Sequence, residues 1–252
     1  SISGKSIHRK HSKYRKIYKE IKQQINHHKS MKKTLYFLIV ILSVSNLQSQ
    51  NIEETYKRGV ENHKNGNYKA AIIDFNEVLL QDPTDTLAYF ERAKTFVCSK
   101  KYGKALKDIE SAVDSGKTGA ELYLLRAEAY DYSFNYSKAL ENYNQYIALT
   151  NEKDVWLYYS KGYTEVKLKL YDDAIKSFTK SIELDTLNNL ESSYAFMGRG
   201  FAYLKIAEQF KDKPKEAKQF ARLAKADYLS ARKLKNKAAN KFIEKIKKKY
   251  GV

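Results

Sequence analysis

The chain is poor in the residues that most catalytic sites and small stapled folds depend on. Of its 252 residues one is cysteine, two are proline and ten are glycine. A lone Cys98 excludes an intrachain disulfide, and it is expected as a small packing residue, since free cysteine is usually buried. No neighbouring cation or helix start marks it as reactive. His63 is the only histidine between residues 50 and 252, so histidine acid–base chemistry has almost nothing to use there. No Ser/His/Asp set, metal-ligand spacing or glycine-rich loop occurs in that stretch. The adjacent Asp172 and Asp173 fall at a helix start, where they favour the helix dipole. Long apolar runs are missing too. Leu35–Val44 is apolar except for Ser43, and falls short of the roughly 20 residues of a bilayer span.

Acidic residues are scarce only at the ends. The net charge of +18 is uneven. Residues 1–49 carry +10, residues 232–252 carry +8, and residues 50–231 balance at zero. The basic total therefore describes two ends, and a neutral body argues against a nucleic-acid binder. No specific nucleic acid is expected.

What is abundant is a repeat. Ile52–Asp85 reads IEETYKRGVENHKNGNYKAAIIDFNEVLLQDPTD, 34 residues long. The pattern predicts a helix over Tyr56–Lys64, a turn at Gly66-Asn67, a second helix over Tyr68–Leu80 and a stop at Asp82-Pro83. Gly59, Ala71, Phe75 and Pro83 supply a close approach, a small contact, an aromatic wedge and the stop. Further copies run over 86–119 (Ala93, Ala105), 120–153 (Ala127, Ala139) and 155–188 (Gly162, Ala174). A fifth, over 193–235, has Gly200 in place, but Ala224 comes twelve residues late, with the break at Lys211–Lys215. Either longer helices or a protruding loop accounts for that. Helices of about 13 residues are marginal alone, so neighbouring pairs must stack and share one core.

This period and these residues resemble the tetratricopeptide repeat. The resemblance covers about 180 residues and implies an all-α, right-handed α-solenoid of about five helix–turn–helix units. No copy has the tryptophan of the fourth place. Carrying over the groove-facing places of the first helices gives Tyr56, Phe90, Glu128, Asp131, Trp156, Tyr159, Tyr163, Tyr194, Met197 and Phe201. Repeat three is acidic there and the last two repeats are aromatic. Groove binding and packing between helices are both open to them. The Lys/Asn pattern of the family's chaperone-tail clamp is missing, which argues against recognition of an acidic C-terminal carboxylate.

The start is not methionine. Residues 1–30 form a basic tail, expected to be disordered or absent from the native product. Tyr14, Ile17, Ile21 and Ile25 could instead make a basic amphipathic helix. The histidines at 8, 11, 27 and 28 lack partners at ligand spacing, and Gly4-Lys5-Ser6 lacks the rest of a phosphate loop. Met31 opens a secretory signal: Lys32-Lys33, the apolar run, then polar small residues. Cleavage is expected after Ser49, with Ser45 the alternative, leaving repeats over 50–235. If the 35–44 segment is not cleaved the chain is membrane-anchored. Residues 236–252 predict a capping helix, apolar along Ala238, Ala239, Phe242, Ile243 and Ile246 and covered elsewhere by lysine. Those lysines could also meet an anionic surface.

The expected function is an exported, periplasmic or cell-surface scaffold that binds another protein or peptide in the groove, with no catalysis, cofactor or metal. Carbohydrate or cell-wall polymer binding through groove aromatics is the alternative. Abundant Lys, Asn, Ile and Tyr suggest an AT-rich bacterial genome.

Overall fold

The structure, a computed structural model, describes residues 3–151, 153–185 and 190–252, with side chains for 27–42, 50–151, 153–185 and 192–252. Gly4-Lys5-Ser6, His8, His11, Tyr14, Ile17, Ile21, Ile25, Ser43, Ser45, Ser49 and Thr186 lie outside the described side chains. Every regular element among the described residues is an α-helix: α1 (Ser3–Lys64), α2 (Tyr68–Gln81), α3 (Thr86–Cys98), α4 (Tyr102–Asp114), α5 (Glu121–Tyr132), α6 (Tyr136–Thr150), α7 (Val155–Lys167), α8 (Tyr171–Leu184), α9 (Leu190–Gln209), α10 (Pro214–Lys233) and α11 (Ala239–Tyr250).

The chain divides into two units, residues 1–58 and 59–252. The first unit belongs to α1, which runs unbroken through the boundaries expected at residues 30 and 49. The described part of its apolar run, residues 35–42, is exposed in this structure, Phe37 by 66%. Among the described residues no helix is long and apolar enough to cross a membrane.

The second unit is the expected α-solenoid of stacked helix pairs. The turn inside each of the first four repeats is the same Schellman closure. In the first, Asn67 N–H donates to the Asn62 carbonyl and Gly66 N–H to that of His63. The same two bonds close repeats two to four at Lys100, Phe134 and Lys169. All four pivot residues are left-handed, with φ of 75°, 60°, 65° and 62°, yet only the first is glycine. Between repeats, Asp85 caps α3 by accepting from Leu87 and Ala88 N–H, and Asp154 caps α7 by accepting from Leu157.

The small residues sit where the helices are tightest. A Cβ on Gly59 would lie 2.8 Å from the Phe75 ring, so the glycine faces the aromatic wedge and not Ala71. A Cβ on Gly162 would lie 3.0 Å from Phe178, and Gly198 of the next repeat presses on the same ring from the other side. Ala71, Ala93, Ala105, Ala127, Ala139, Ala174 and Ala224 are fully buried, and Gly200 backs onto the Ala224 carbonyl. Pro83 is exposed in its turn. Cys98 is a correction. It closes α3 and is exposed, because its place falls past the buried stripe that ends at Val97.

Repeats two and five share an arginine fork. Arg92 Nε and Nη2 donate to both Asp108 oxygens at 2.6 and 2.7 Å, and Nη1 donates to Asn76 on α2. Arg199 does the same to Asp227 at 2.9 and 2.8 Å, with Nη1 to Thr179 on α8. Each fork ties both helices of its repeat to the second helix of the repeat before.

A second register joins successive first helices. Two polar pairs hydrogen-bond across the seam: His63 Nδ1 with Thr95 Oγ1 at 2.9 Å, and Thr164 Oγ1 donating to Asp131 at 3.0 Å. The matching places at the intervening seams are apolar. Val97 and Ala129 share one buried cluster, and Val166 packs on the cluster of Ala202.

The late second helix of repeat five is resolved in favour of longer helices. The segments α9 and α10 are each 20 residues, joined by a short turn before Pro214, against 14 in α8. Thus α9 is about 10 Å longer than α7, which has 13 residues, and α10 about 9 Å longer than α8. On this hairpin lies α11, with Ala239, Ile243 and Ile246 buried against Leu204, Ala221, Ala224, Tyr228 and Ala231. It caps the core as expected, although Ala238 is exposed at its start.

Candidate functional site

The candidate site lies on the first helices of repeats three to five. Here α7 packs on α9 as well as on its own partner α8. Trp156 on α7 meets Tyr159 one turn on, edge to face with ring centroids 5.5 Å apart. Tyr194 on α9 closes the triangle at 6.1 Å from Trp156 and 6.3 Å from Tyr159. Tyr159 is half-buried against Phe178, whereas Trp156 and Tyr194 remain 43% and 41% exposed. Tyr163 continues the row, with the Lys167 ammonium 4.8 Å above its ring.

Beside the aromatics is a pocket of about 320 Å³, between α5, α6 and α7. Leu124 and Glu128 come from α5, Tyr143 and Tyr146 from α6, and Asp154, Trp156, Leu157 and Ser160 from the start of α7. Burial pushes the Glu128 carboxyl above the usual range. Burial likewise raises the Tyr143 hydroxyl strongly, helped by the charges of Asp131 and Glu128. Asp131 is also raised by burial, partly offset by the Thr164 hydrogen bond and by Lys167.

The carried-over places therefore divide. Trp156, Tyr159 and Tyr194 form one ring cluster, Glu128 lines the pocket that Trp156 also lines, and Tyr163 lies one turn on from Tyr159. Asp131 is held in the seam by Thr164. Phe90 is a correction. It is 9% exposed and packs in the core of repeat two, under the ammonium groups of Lys94 and Lys117. Met197 is another, since it packs on the cluster beneath α11. Phe201 is half-buried with Lys205 5.4 Å over its ring, and Tyr56 is half-buried on α1. The sequence reading missed Tyr143, Tyr146, Asp154 and Ser160. The tyrosines sit on a second helix, which the repeat pattern assigns to the core. Asp154 lies in a connection, and Ser160 is one turn on from Trp156 beside the tyrosine row. Among the described residues no group of three His, Cys, Asp or Glu could hold a metal ion.

A family model described as tetratricopeptide repeat matches residues 157–186. These contain most of α7 and all of α8, the helices that carry Trp156 and Phe178. Residues 157–186 thus match a tetratricopeptide repeat. The chain is 25% identical over 162 residues to a TPR repeat-containing protein of Methanocaldococcus jannaschii, covering 59% of this chain and 27% of that one. It is 24% identical over 153 residues to human tetratricopeptide repeat protein 13, covering 57% of this chain and 18% of that one. The chain thus spans about a quarter or less of these relatives' lengths. Among solved structures, YrrB is described as a TPR protein with an unusual peptide-binding site. It superposes with a TM-score of 0.56 at 17% identity, over 74% of this chain and 96% of YrrB. At this identity the likeness concerns the fold, and that fold is the all-α tetratricopeptide solenoid.

Proposed function

We propose that this chain is an exported interaction scaffold that binds a peptide or helix of another protein along the inner face of its repeats and performs no catalysis. The observation that carries the reading is the exposed triangle of Trp156, Tyr159 and Tyr194. Rigid aromatic side chains on a supported wall bury partner surface with little loss of entropy, which is why they dominate binding interfaces. A tetratricopeptide array is a protein-binding architecture, and YrrB has a peptide-binding site on the same fold.

Export rests on the order of residues 31–49, two lysines, an apolar run and a polar end. N-terminal sequencing of the protein from a cell envelope should begin at Gln50, and a chain retaining Leu35–Val44 there would replace export with anchoring. A secondary contact with an anionic surface is open to α11, whose Lys241, Lys245 and Lys248 are exposed. That contact should weaken with salt.

The scaffold reading is tested by crosslinking capture from envelope extract. Trp156→Ala/Tyr194→Ala, checked by circular dichroism for unchanged helicity, should lose the proteins that the parent chain retains. Equal capture by both would remove the inner face from the function.

A further inference from the structure

We infer that the pocket between α5, α6 and α7 receives the cationic side chain of a lysine or arginine from the bound partner segment. The inference rests on the scaffold reading and specifies its chemistry.

The argument starts from Glu128. Glu128 is half-buried in the pocket wall, whereas the fully buried carboxylates of the array each have a partner on at least one oxygen. Asp108 and Asp227 face arginine forks, Glu165 faces Lys161 at 3.4 Å, Asp74 accepts from Asn62, and Asp185 accepts from Ser192. Glu128 lines the pocket half-buried, burial raises its carboxyl, and among the described residues no cation is paired with it. Withdrawing a carboxylate without a partner is costly, so a cation brought in from outside recovers that cost. The walls around it suit an organic cation. Trp156, Tyr143 and Tyr146 are among its lining residues, Trp156 the most exposed of them, and tryptophan is the strongest cation–π surface. Asp154 adds a second carboxylate at the rim, although one of its oxygens already caps α7. A bare metal ion is a poor occupant, because calcium or magnesium needs six or more oxygen ligands and no group of three His, Cys, Asp or Glu gathers here among the described residues. The volume of about 320 Å³ is at the small end of ligand clefts, enough for one side chain. Trp156 also belongs to the exposed triangle, so a segment lying across Tyr194 and Tyr159 reaches the pocket at its end.

The test is selection of a random twelve-residue peptide library on the full chain and on Glu128→Gln, which keeps shape and removes charge. The parent chain should enrich peptides sharing a lysine or arginine at one position, and Glu128→Gln should lose that preference. The selected peptide should then alter the emission of Trp156, the only tryptophan. Its twin with norleucine or citrulline at the shared position should bind at least tenfold more weakly to the parent and equally to the variant. Enriched peptides with no shared cation, or equal binding of the twins, would overturn the pocket assignment while leaving the scaffold reading standing. No enrichment at all would overturn both.

Discussion

Lys169 sits at φ 62° in the place that Gly66 takes at 75°. A left-handed backbone costs a residue with a Cβ roughly 1–2 kcal/mol, and glycine escapes that cost at the expense of a looser unfolded chain. Lys100→Gly and Lys169→Gly should therefore each stabilise the array by about 0.5–1 kcal/mol, and Gly66→Ala should destabilise it by about as much. Thermal midpoints measured by circular dichroism check both signs. His63 offers a second prediction. Burial, then the charge of Lys94, holds its imidazole below the ordinary value, with Glu91 opposing. The folded chain thus favours the neutral ring, and the unfolded chain takes up a proton first, near pH 6.5. Stability from His63 is complete above that pH and falls as the pH drops through it towards the depressed folded value. Relative to His63→Gln, the parent chain should lose urea stability between pH 7.5 and 5. The raised carboxyls of Glu128 and Asp131 act with the opposite sign, but they are common to both proteins and cancel in the comparison.

Among elements, the helix pairs were legible because their signals are local. Gly66, Pro83 and the 34-residue return of alanine mark turns, stops and buried stripes without any tertiary knowledge. The arginine forks were not, because Arg92 and Asp108 lie sixteen residues apart on different helices and an exposed arginine reads the same. The pocket was half legible. Glu128 and Trp156 lie on first helices, but Tyr143 and Tyr146 reach it from a second helix that the repeat pattern assigns to the core. Phe90 and Met197 failed for the converse reason. A first-helix position faces either the open side or the next repeat, and the apolar character of a residue does not say which. The forks yield an element-scale prediction. Arg199→Lys keeps the charge but cannot hold Asp227 through two nitrogens and Thr179 through a third. Arg199→Leu leaves Asp227 buried and unpaired, and should cost about 3–5 kcal/mol in urea unfolding, with the lysine variant losing less.

For the molecule as a whole, the decisive element is α11. It covers Ala221, Ala224, Tyr228 and Ala231, which would otherwise be an open apolar end. A chain ending at Leu234 should show a lower thermal midpoint and concentration-dependent association in size-exclusion chromatography, because solenoid cores need closed ends. Replacing Lys241, Lys245 and Lys248 of α11 by glutamine should leave the midpoint nearly unchanged, since they are exposed. The seams between first helices bear on how such a chain can grow. Polar pairs at His63–Thr95 and Asp131–Thr164 alternate with apolar ones at Val97–Ala129 and Val166–Ala202. Duplicating repeat two alone would set a second Thr95 against Val97 and leave a hydroxyl facing a methyl group. Duplicating repeats two and three together would bring Asp131 to the new Thr95 and match every joint. This lineage can lengthen by tandem gene duplication in steps of two units, while each single-unit step begins with a mismatched joint.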